Sequence, residues 1–386
     1  MKLLDLDQSE NGHLAGPALE CAGLVKRFGG VTAVASLDLS IPKGQILALL
    51  GPSGCGKTTA LRLIAGFEEP DDGVISIGGQ TVNGAGRNMP PERRRVGMVF
   101  QEGALFPHLS VEQNIAYGLP KGQERDKRVG EVLELIGLTG QRDRMPHELS
   151  GGQQQRVALG RALAPQPEVL LLDEPFSNLD PKLREQVRRD VLDILKTSHA
   201  TAIFVTHDQE EALFVGDVVA VMNEGRIEQT GSPETIFHHP ITKFVAQFIG
   251  TVDFLPAVHD NGALHTEVGS VDWPEMQPGA LADLNSNGVD SNGERKIEVM
   301  VRPDCLDCVP SEDGSGVVIE REFRGAFYLY RVQLASGATV RCLVSHTAEY
   351  PLGASVSVSL RDGHHLRPFV GDRLVAVPHV GSAPGH

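Results

Sequence analysis

The hydrophobic positions of this chain follow two different patterns. Residues 36–41, SLDLSI, alternate apolar and polar side chains, which predicts a half-buried strand. The runs QILALLG, PEVLLLDEP and ATAIFVTHD, at 45–51, 167–175 and 200–208, are continuous, as in strands buried on both faces. Helical periodicity appears in TALRLIAGF and KRVGEVLELIGL, at 59–67 and 127–138. We therefore predict an α/β domain with buried, parallel strands.

Beyond residue 250 the pattern changes to short alternating runs. They are KIEVMVR, GVVIEREF, YLYRVQL and SVSVSL, and they flank a stretch rich in Gly, Asn, Asp and Ser at 279–296. This texture predicts an all-β module. We place the boundaries at 1–18 for a mobile N-terminal tail, 19–240 for the α/β domain and 241–386 for a linker helix and the β module.

Composition restricts the classes of function. The chain has 386 residues, enough for two domains, and its formal net charge of −15 argues against a nucleic-acid partner held by a broad basic surface. The acids of the N-terminus interrupt any secretory signal, and no run is apolar enough to cross a bilayer. Five cysteines in a long chain indicate reduced thiols. We expect a cytoplasmic protein that meets a membrane only through a partner.

A phosphate-binding loop follows the second strand. Gly51, Gly56, Lys57 and Thr58 have G-x-x-x-x-G-K-[ST] spacing between a strand and a helix, the order that this loop requires. Glycines let backbone N–H groups face phosphate oxygens, the lysine reaches the terminal phosphates, and the threonine hydroxyl binds Mg²⁺. We expect nucleotide contacts from this loop, with Cys55 as a small filling residue; its members are Gly51, Pro52, Ser53, Gly54, Cys55, Gly56, Lys57, Thr58 and Thr59.

Two later strands end in polar residues. Asp173 and Glu174 close one, and His207 follows the next. Because parallel strands gather ligand groups at their carboxyl ends, we expect these side chains near the glycine loop. Asp173 would hold the magnesium shell, Glu174 would orient or deprotonate water, and His207 would sense the γ phosphate. Taken alone, His207 would more simply be a hydrogen-bonded edge histidine.

The segment LSGGQQQR at 149–156 distinguishes among nucleotide hydrolases. With the glycine loop, Gln101, VLLLDEP, SNLD at 177–180 and His207, in that order, it makes residues 19–250 resemble the ATP-binding cassette (ABC) proteins. The resemblance implies a P-loop ABC ATPase domain with a helical subdomain at about 88–165. It also implies that Gln101 contacts magnesium and water, that Phe28 stacks on adenine, and that nucleotide is bound by Ser150, Gly151, Gly152, Gln153 and Asp180.

Family partners follow from the same resemblance. Two cassettes lie head to tail, so the LSGGQ segment of one copy would contact ATP in the glycine loop of the other. One motif set without an internal repeat implies a homodimer of this chain. Integral membrane permease subunits would bind near residues 106–109, with a substrate-binding protein as an indirect partner. This arrangement implies a peripheral position on the cytoplasmic face of the inner membrane. Phe106 could equally be packed in the core.

The C-terminal module narrows the class further. VMVRPDCL at 299–306 is similar to a turn in the OB-like β-barrel regulatory domains of ABC importers. The stretches PFSNLDPKLREQVRRDV and FVAQFIGTVDFLPA look most like ferric iron importer ATPases. The resemblance therefore implies an ATPase, using ATP and Mg²⁺, for uptake of ferric iron, or of polyamines, sugars, sulfate or other anions. A non-transport ABC ATPase and a nucleotide kinase are rival classes, but the first usually has a coiled-coil insertion or tandem cassettes and the second has no use for LSGGQ.

Several cysteines and histidines remain. Cys305 and Cys308 form C-x-x-C, with Cys342 and His346 further on. Zinc sites usually show a second paired motif, so we interpret these residues as isolated thiols rather than a metal sensor. The pairs His238–His239 and His364–His365 are interpreted as surface or turn residues.

Overall fold

The computed structural model describes residues 16–84, 86–101, 105–177, 179–272, 297–364 and 366–375. The chain divides into two compact units, 1–233 and 234–386. Most of the expected tail at 1–18 lies outside the described residues, as do the polar stretch at 279–296, Asn178 and His365.

The first unit contains eleven described strands and six described α-helices. The strands are β1 (Leu19–Phe28), β2 (Val31–Ile41), β3 (Ile46–Leu50), β4 (Asp72–Ile77), β5 (Gln80–Gly84), β6 (Arg87–Asn88), β7 (Val96–Val99), β8 (Val169–Asp173), β9 (Ala202–Thr206), β10 (Val218–Asn223) and β11 (Arg226–Gly231). The helices are α1 (Lys57–Ala65), α2 (Val111–Ala116), α3 (Gln123–Leu135), α4 (Gly151–Leu163), α5 (Pro181–Thr197) and α6 (Gln209–Val215).

The central sheet of this unit has the order β11-β10-β3-β9-β8-β7. Strands β10, β3, β9, β8 and β7 are parallel, and β11 joins the edge antiparallel to β10. All five residues of β3 and of β9 are buried, because helices or the second sheet cover both faces. The predicted parallel α/β fold is confirmed, and the carboxyl ends of β3, β9, β8 and β7 lie in one row.

A second, antiparallel sheet has the order β2-β1-β4-β5-β6. Its apolar side chains, among them Leu19, Leu37 and Ile75, share a core with α1 and with Leu47 and Leu49 of β3. Helices α2, α3 and α4 form another core with α5, in which Val132, Val157 and Val187 are buried. The LSGGQ segment therefore begins a helix that is packed in a helical layer.

In its described residues, the second unit is all-β apart from its first two helices and a short 3₁₀ turn. The helices are α7 (Pro233–His238) and α8 (Lys243–Ile249). The strands are β12 (Asp253–Pro256), β13 (Val258–Asp260), β14 (Ala263–Thr266), β15 (Gly269–Asp272), β16 (Ile297–Val301), β17 (Leu306–Pro310), β18 (Gly316–Phe323), β19 (Phe327–Gln333), β20 (Thr339–Ser345), β21 (Ser355–Leu360), β22 (Arg367–Val370) and β23 (Arg373–Leu374).

These strands form three sheets, of orders β12-β16-β22-β23, β13-β14-β15 and β17-β21-β18-β19-β20. The predicted C-terminal β module is confirmed. Its core includes the buried side chains of Cys308 and Cys342. Among the helices that the structure describes in either unit, none is long and apolar enough to span a bilayer.

Candidate nucleotide-binding site

The loop between β3 and α1 has a backbone that only glycine can follow at two positions. A Cβ on Gly51 would lie 2.2 Å from the Met222 carbonyl oxygen. Gly56 has a φ of +109°, and a Cβ there would lie 2.2 Å from the Ala33 carbonyl oxygen. Gly56 also caps α1 without a side-chain hydrogen bond. The first amides of α1 are thus left for a ligand, and the helix dipole favours an anion.

Lys57 lies inside this loop. Its ammonium Nζ donates hydrogen bonds to the carbonyl oxygens of Gly51 and Pro52, at 2.7 and 2.9 Å. The side chain of Cys55 is buried beside it, with Sγ 3.9 Å from Nζ, and burial raises the pKa of that thiol. Cys55 therefore fills space under the loop, as the sequence predicts. The two carbonyl oxygens of the loop hold the Lys57 ammonium in a position where phosphate oxygens could replace them as hydrogen-bond acceptors.

Thr58 and Asp173 meet although they are far apart in the chain. The Thr58 hydroxyl donates to Asp173 Oδ1 at 3.2 Å, which joins the start of α1 to the end of β8. Burial is the main cause that raises the pKa of Asp173, and the Thr58 hydrogen bond opposes it. A cation would stabilise this half-buried carboxylate. The paired oxygen donors fit Mg²⁺, which prefers oxygen ligands and retains several waters.

Glu174 and His207 form the second contact along this edge. The Glu174 carboxylate oxygen Oε2 is 3.1 Å from His207 Nδ1, and the histidine is the more exposed of the two. Glu174 has a φ of +44°, a left-handed conformation that is uncommon outside glycine. Its N–H donates to the Val205 carbonyl oxygen of β9 at 3.1 Å. Strained backbones of this kind concentrate at functional sites, where surrounding structure maintains them.

Gln101 follows the neighbouring strand. Strand β7 pairs with β8 in the register Val99 to Leu172, so the exposed Gln101 continues to the level of Glu174. The strand-end rule thus places Gln101, Asp173, Glu174 and His207 along one edge. The roles of these residues stay predictions.

Phe28 ends β1 with its ring in solvent. The side chain is 47% exposed, and the Lys26 ammonium lies 5.2 Å from the ring centroid. A ring packed in the strand core would be covered instead. The exposure fits the stacking role that the resemblance implies.

The LSGGQ segment begins α4. Ser150 caps the helix: its Oγ accepts from the Gln153 N–H at 3.4 Å, and the Gln153 side chain accepts from the Ser150 N–H at 2.9 Å. Gly151 is exposed, whereas Gly152 is buried against α5, where a Cβ would lie 2.6 Å from Val187 Cγ2. The second glycine therefore has a packing role that the sequence did not reveal.

Within one chain, none of the described side-chain hydrogen bonds of Ser150 and Gln153 reaches the glycine loop. In the described residues, the polar contacts of Ser150 remain inside the cap of α4. Asp180 likewise caps α5 by accepting the Leu183 N–H at 3.0 Å, and it is exposed. The structure therefore brings together the residues at the carboxyl edge of the sheet but links neither Ser150 nor Asp180 to them by a hydrogen bond.

The expected partner segment, residues 106–109, is held by one buried amide. Asn114 accepts the Phe106 N–H at 2.9 Å and donates to the carbonyl oxygens of Phe106 and Leu109. The half-buried Phe106 ring packs against the exposed Tyr117, with centroids 4.3 Å apart, and under the Arg161 guanidinium. The Phe106 ring is thus partly packed and partly exposed, and both alternatives for it stay predictions.

Sequence reasoning missed two residues that support the site. Arg94 is 1% exposed and donates to the Leu63 and Ile64 carbonyl oxygens at the end of α1. Glu211 accepts a 2.6 Å hydrogen bond from the Thr206 hydroxyl, just before His207. Arg94 stands in the run RRR, which gave no sign that its middle residue is buried, and Glu211 follows another acid. Polar residues adjoining a predicted strand end were the available signal for Glu211.

A glycine loop facing strand-end carboxylates is the arrangement of P-loop nucleotide-binding proteins. The family model described as ABC transporter matches residues 34–177, and the TOBE domain model matches residues 299–366.

Curated relatives match along most of the chain. The Fe(3+) ions import ATP-binding protein FbpC 3 of Rhodococcus jostii is 46% identical over 322 residues, which cover 83% of this chain and 88% of that protein. The spermidine/putrescine import ATP-binding protein PotA of Rubrobacter xylanophilus is 46% identical over 373 residues, which cover 92% of this chain and 94% of that protein.

Among solved structures, cbiO1 from Clostridium perfringens, part of the ABC transporter complex cbiONQ, matches with a TM-score of 0.53 and 29% identity. The match covers 61% of this chain and 93% of that chain. The chain belongs to the ABC transporter family, as an ATP-binding import subunit, and it is an ATPase coupled to import.

Proposed function

We propose that this chain hydrolyses ATP to drive ferric iron uptake through membrane permease subunits. The observation that carries the ATPase site is the pair of contacts at the sheet edge, Thr58 to Asp173 and Glu174 to His207. The cargo rests on likeness alone: the relatives from Rhodococcus jostii and Pseudomonas fluorescens are ferric iron import proteins, at 46% and 41% identity.

The nucleotide is bound by the glycine loop and α1. Phosphate oxygens accept hydrogen bonds from the N–H groups of the loop. The Lys57 ammonium exchanges its hydrogen bonds to the Gly51 and Pro52 carbonyl oxygens for hydrogen bonds to phosphate. Phe28 stacks on adenine, since its ring is exposed at the end of β1. Thr58 and Asp173 would hold Mg²⁺, and Gln101 would contact it. When bound, Mg²⁺ supplies charge neutralisation at the phosphates.

Glu174 is the base in this proposal. Its carboxylate orients the attacking water and accepts a proton from it, and the water adds to the γ phosphorus as the bond to the β–γ bridging oxygen breaks. His207, whose Nδ1 lies 3.1 Å from the Glu174 carboxylate oxygen Oε2, keeps this carboxylate in place and presents its Nε2 to the γ phosphate. The strained backbone at Glu174 supports a fixed position for the carboxylate.

A second copy of the chain completes the site. Ser150, Gly151, Gly152 and Gln153 begin a 13-residue helix whose N-terminus favours an anion, yet the side-chain hydrogen bonds described for Ser150 and Gln153 stay within the cap of that helix. A head-to-tail homodimer presents this helix start to the partner's ATP, with Asp180 at the dimer interface. Light scattering tests this arrangement: ATP should dimerise Glu174→Gln, whereas adding Ser150→Arg should prevent dimerisation and leave ATP binding intact. Loss of ATP binding in the double variant would refute the head-to-tail arrangement.

The segment around Phe106 and Tyr117 is the expected permease contact, because two aromatic rings here are only partly covered. The permease places the chain on the cytoplasmic face of the membrane, and a substrate-binding protein delivers the cargo. A second cargo, spermidine or putrescine, is favoured by the relative from Rubrobacter xylanophilus, which matches a larger share of the chain at the same identity.

Uptake of labelled ferric iron and labelled spermidine distinguishes the two cargoes. Cells that carry the intact chain, Glu174→Gln or the exposed control Glu210→Gln as their sole copy are compared. The proposal predicts that Glu174→Gln abolishes iron uptake and leaves spermidine uptake unchanged. Loss of spermidine uptake alone would reassign the cargo, and loss of neither, in cells without a redundant route, would refute both assignments.

A further inference from the structure

Three different metal-ligand types meet in the second unit. Ligand atoms of Asp304, Cys305 and His364 all lie within 4.8 Å of one another, and each residue is partly buried. His364 Nδ1 is 3.3 Å from Cys305 Sγ. These residues come from two separate turns, one before β17 and one after β21. Their meeting is independent of the nucleotide site.

The fold holds the two turns together. Strands β17 and β21 pair in the register Leu306 to Leu360, so Cys305 and the residues after Leu360 leave the sheet at the same point. The Arg361 N–H donates to the Cys305 carbonyl oxygen at 2.9 Å, and the His364 N–H donates to the Arg361 carbonyl oxygen at 3.2 Å. The Arg361 side chain also donates to Asp307 at 2.8 Å. Backbone contacts therefore preorganise the donors.

The donor set suits a particular class of cation. In a tetrahedral site, a sulfur at about 2.3 Å and a nitrogen at about 2.1 Å from the metal lie roughly 3.6 Å apart. The observed 3.3 Å between Sγ and Nδ1 needs only a small adjustment. One thiolate, one imidazole and one carboxylate together fit divalent metals of intermediate softness better than Mg²⁺ or Ca²⁺.

A cavity of about 460 Å³ adjoins the three donors. His238 and His239 line it as well, and it has room for water in a fourth ligand position. The Arg302 guanidinium on its wall is stacked against Phe237, with the guanidinium carbon 3.9 Å from the ring centroid. Its Nη2 donates a hydrogen bond to the Phe237 carbonyl oxygen. The guanidinium Nη2 of Arg367 lies 3.3 Å from Nε2 of His239. As metal ligands, a carboxylate from Asp304 and a thiolate from Cys305 would balance the charge of a divalent ion.

The C-x-x-C spacing does not describe this cluster. Cys308 is buried in the β core together with Cys342, and His346 Nδ1 lies 3.0 Å from the Ala326 carbonyl oxygen. We propose that Asp304, Cys305 and His364 bind one divalent first-row transition metal ion, such as Zn²⁺ or Co²⁺, with a fourth position open to the cavity. This site goes beyond the proposed function and does not depend on the cargo.

Cobalt titration of the full-length chain without nucleotide tests the site. Co²⁺ bound by a thiolate gives a ligand-to-metal charge-transfer band that oxygen donors do not give. The intact chain should show this band, saturating at a single equivalent of CoCl₂. Cys305→Ser should abolish it, and His364→Gln should weaken binding at least about tenfold, since even loss of an outer-shell partner weakens metal sites by about 10 to 100-fold.

Cys308→Ala is the matched cysteine control and His265→Ala, at an exposed strand position, is the histidine control. Both should bind Co²⁺ like the intact chain. A band that survives Cys305→Ser, a band lost in Cys308→Ala, or no band in the intact chain would overturn the proposal. Should Cys305→Ser fail to fold, thermal melting decides: Co²⁺ should raise the Tm of the intact chain but not that of Asp304→Asn or His364→Gln, and equal shifts would refute the site.

Discussion

Replacing Gly152 by alanine tests whether this glycine of the LSGGQ segment is required for packing against α5. A Cβ on this residue would lie 2.6 Å from Cγ2 of Val187, which is 1% exposed and β-branched, so neither side chain has room to move. Overpacking of this kind costs about 1 to 3 kcal/mol. The higher helix propensity of alanine offsets up to about 1 kcal/mol of that cost. We therefore expect Gly152→Ala to lower the free energy of unfolding by up to about 2 kcal/mol.

Guanidinium unfolding of a double-mutant cycle checks this value. In a Val187→Ala background the clash is absent, so Gly152→Ala should become neutral or stabilising, which gives a coupling free energy of about 1 to 3 kcal/mol. Gly151→Ala is the matched control, because its Cβ would lie 3.3 Å from the flexible end of Leu179. Additive effects of Gly152→Ala and Val187→Ala would refute the packing role.

The remaining predictions concern a buried cation, a buried acid and the exposed ring. Arg94→Met should lower the free energy of unfolding by about 3 kcal/mol or more, because four hydrogen bonds are lost, and the exposed Arg93→Met by less than about 0.5 kcal/mol, both measured in denaturant. Burial raises the pKa of Glu211, so its neutral form is favoured in the folded state and its contribution to stability is lost as pH rises above about 4.3. Glu211→Gln should therefore gain stability relative to the intact chain between pH 4 and pH 7, and the exposed Glu210→Gln should not, in melts across this range. Phe28→Ala should weaken ATP binding about fivefold or more, and Phe28→Tyr should preserve it, by calorimetric titration.

Each of these predictions has a contrary outcome. Equal losses of unfolding free energy for the Arg94 and Arg93 variants would show that the hydrogen bonds of Arg94 to the end of α1 do not stabilise the fold. A Glu211→Gln advantage independent of pH would remove titration as its cause. Unchanged ATP affinity in Phe28→Ala would remove the ring from the adenine site.

The site residues at the strand ends could be predicted from the sequence, because motif spacing and the position after a buried run identify them. The glycine loop, Asp173, Glu174 and His207 each follow a buried run, and parallel topology then brings them to one edge. Three-dimensional neighbours far apart in the chain were not accessible. The approach of Gly152 to Val187 depends on how α4 crosses α5, and hydrophobic periodicity does not determine that crossing.

Similarly, the register of β17 and β21 brings His364 to Cys305, whereas C-x-x-C spacing suggested Cys308 instead. Alternation in β17 turns Cys308 toward the core, and Cys305 lies outside that strand in a turn. The middle arginine of RRR is buried because α1 ends beside it, and residue type alone cannot show that.

The central claim is that Glu174 activates water for ATP hydrolysis. Its most direct test measures ATP binding and steady-state hydrolysis on the same purified preparation of Glu174→Gln, with Glu210→Gln as the matched control. The amide keeps the shape of the side chain but cannot accept the proton, so binding should persist while hydrolysis falls by roughly 10² or more. Hydrolysis near that of the intact chain would contradict the assignment of Glu174.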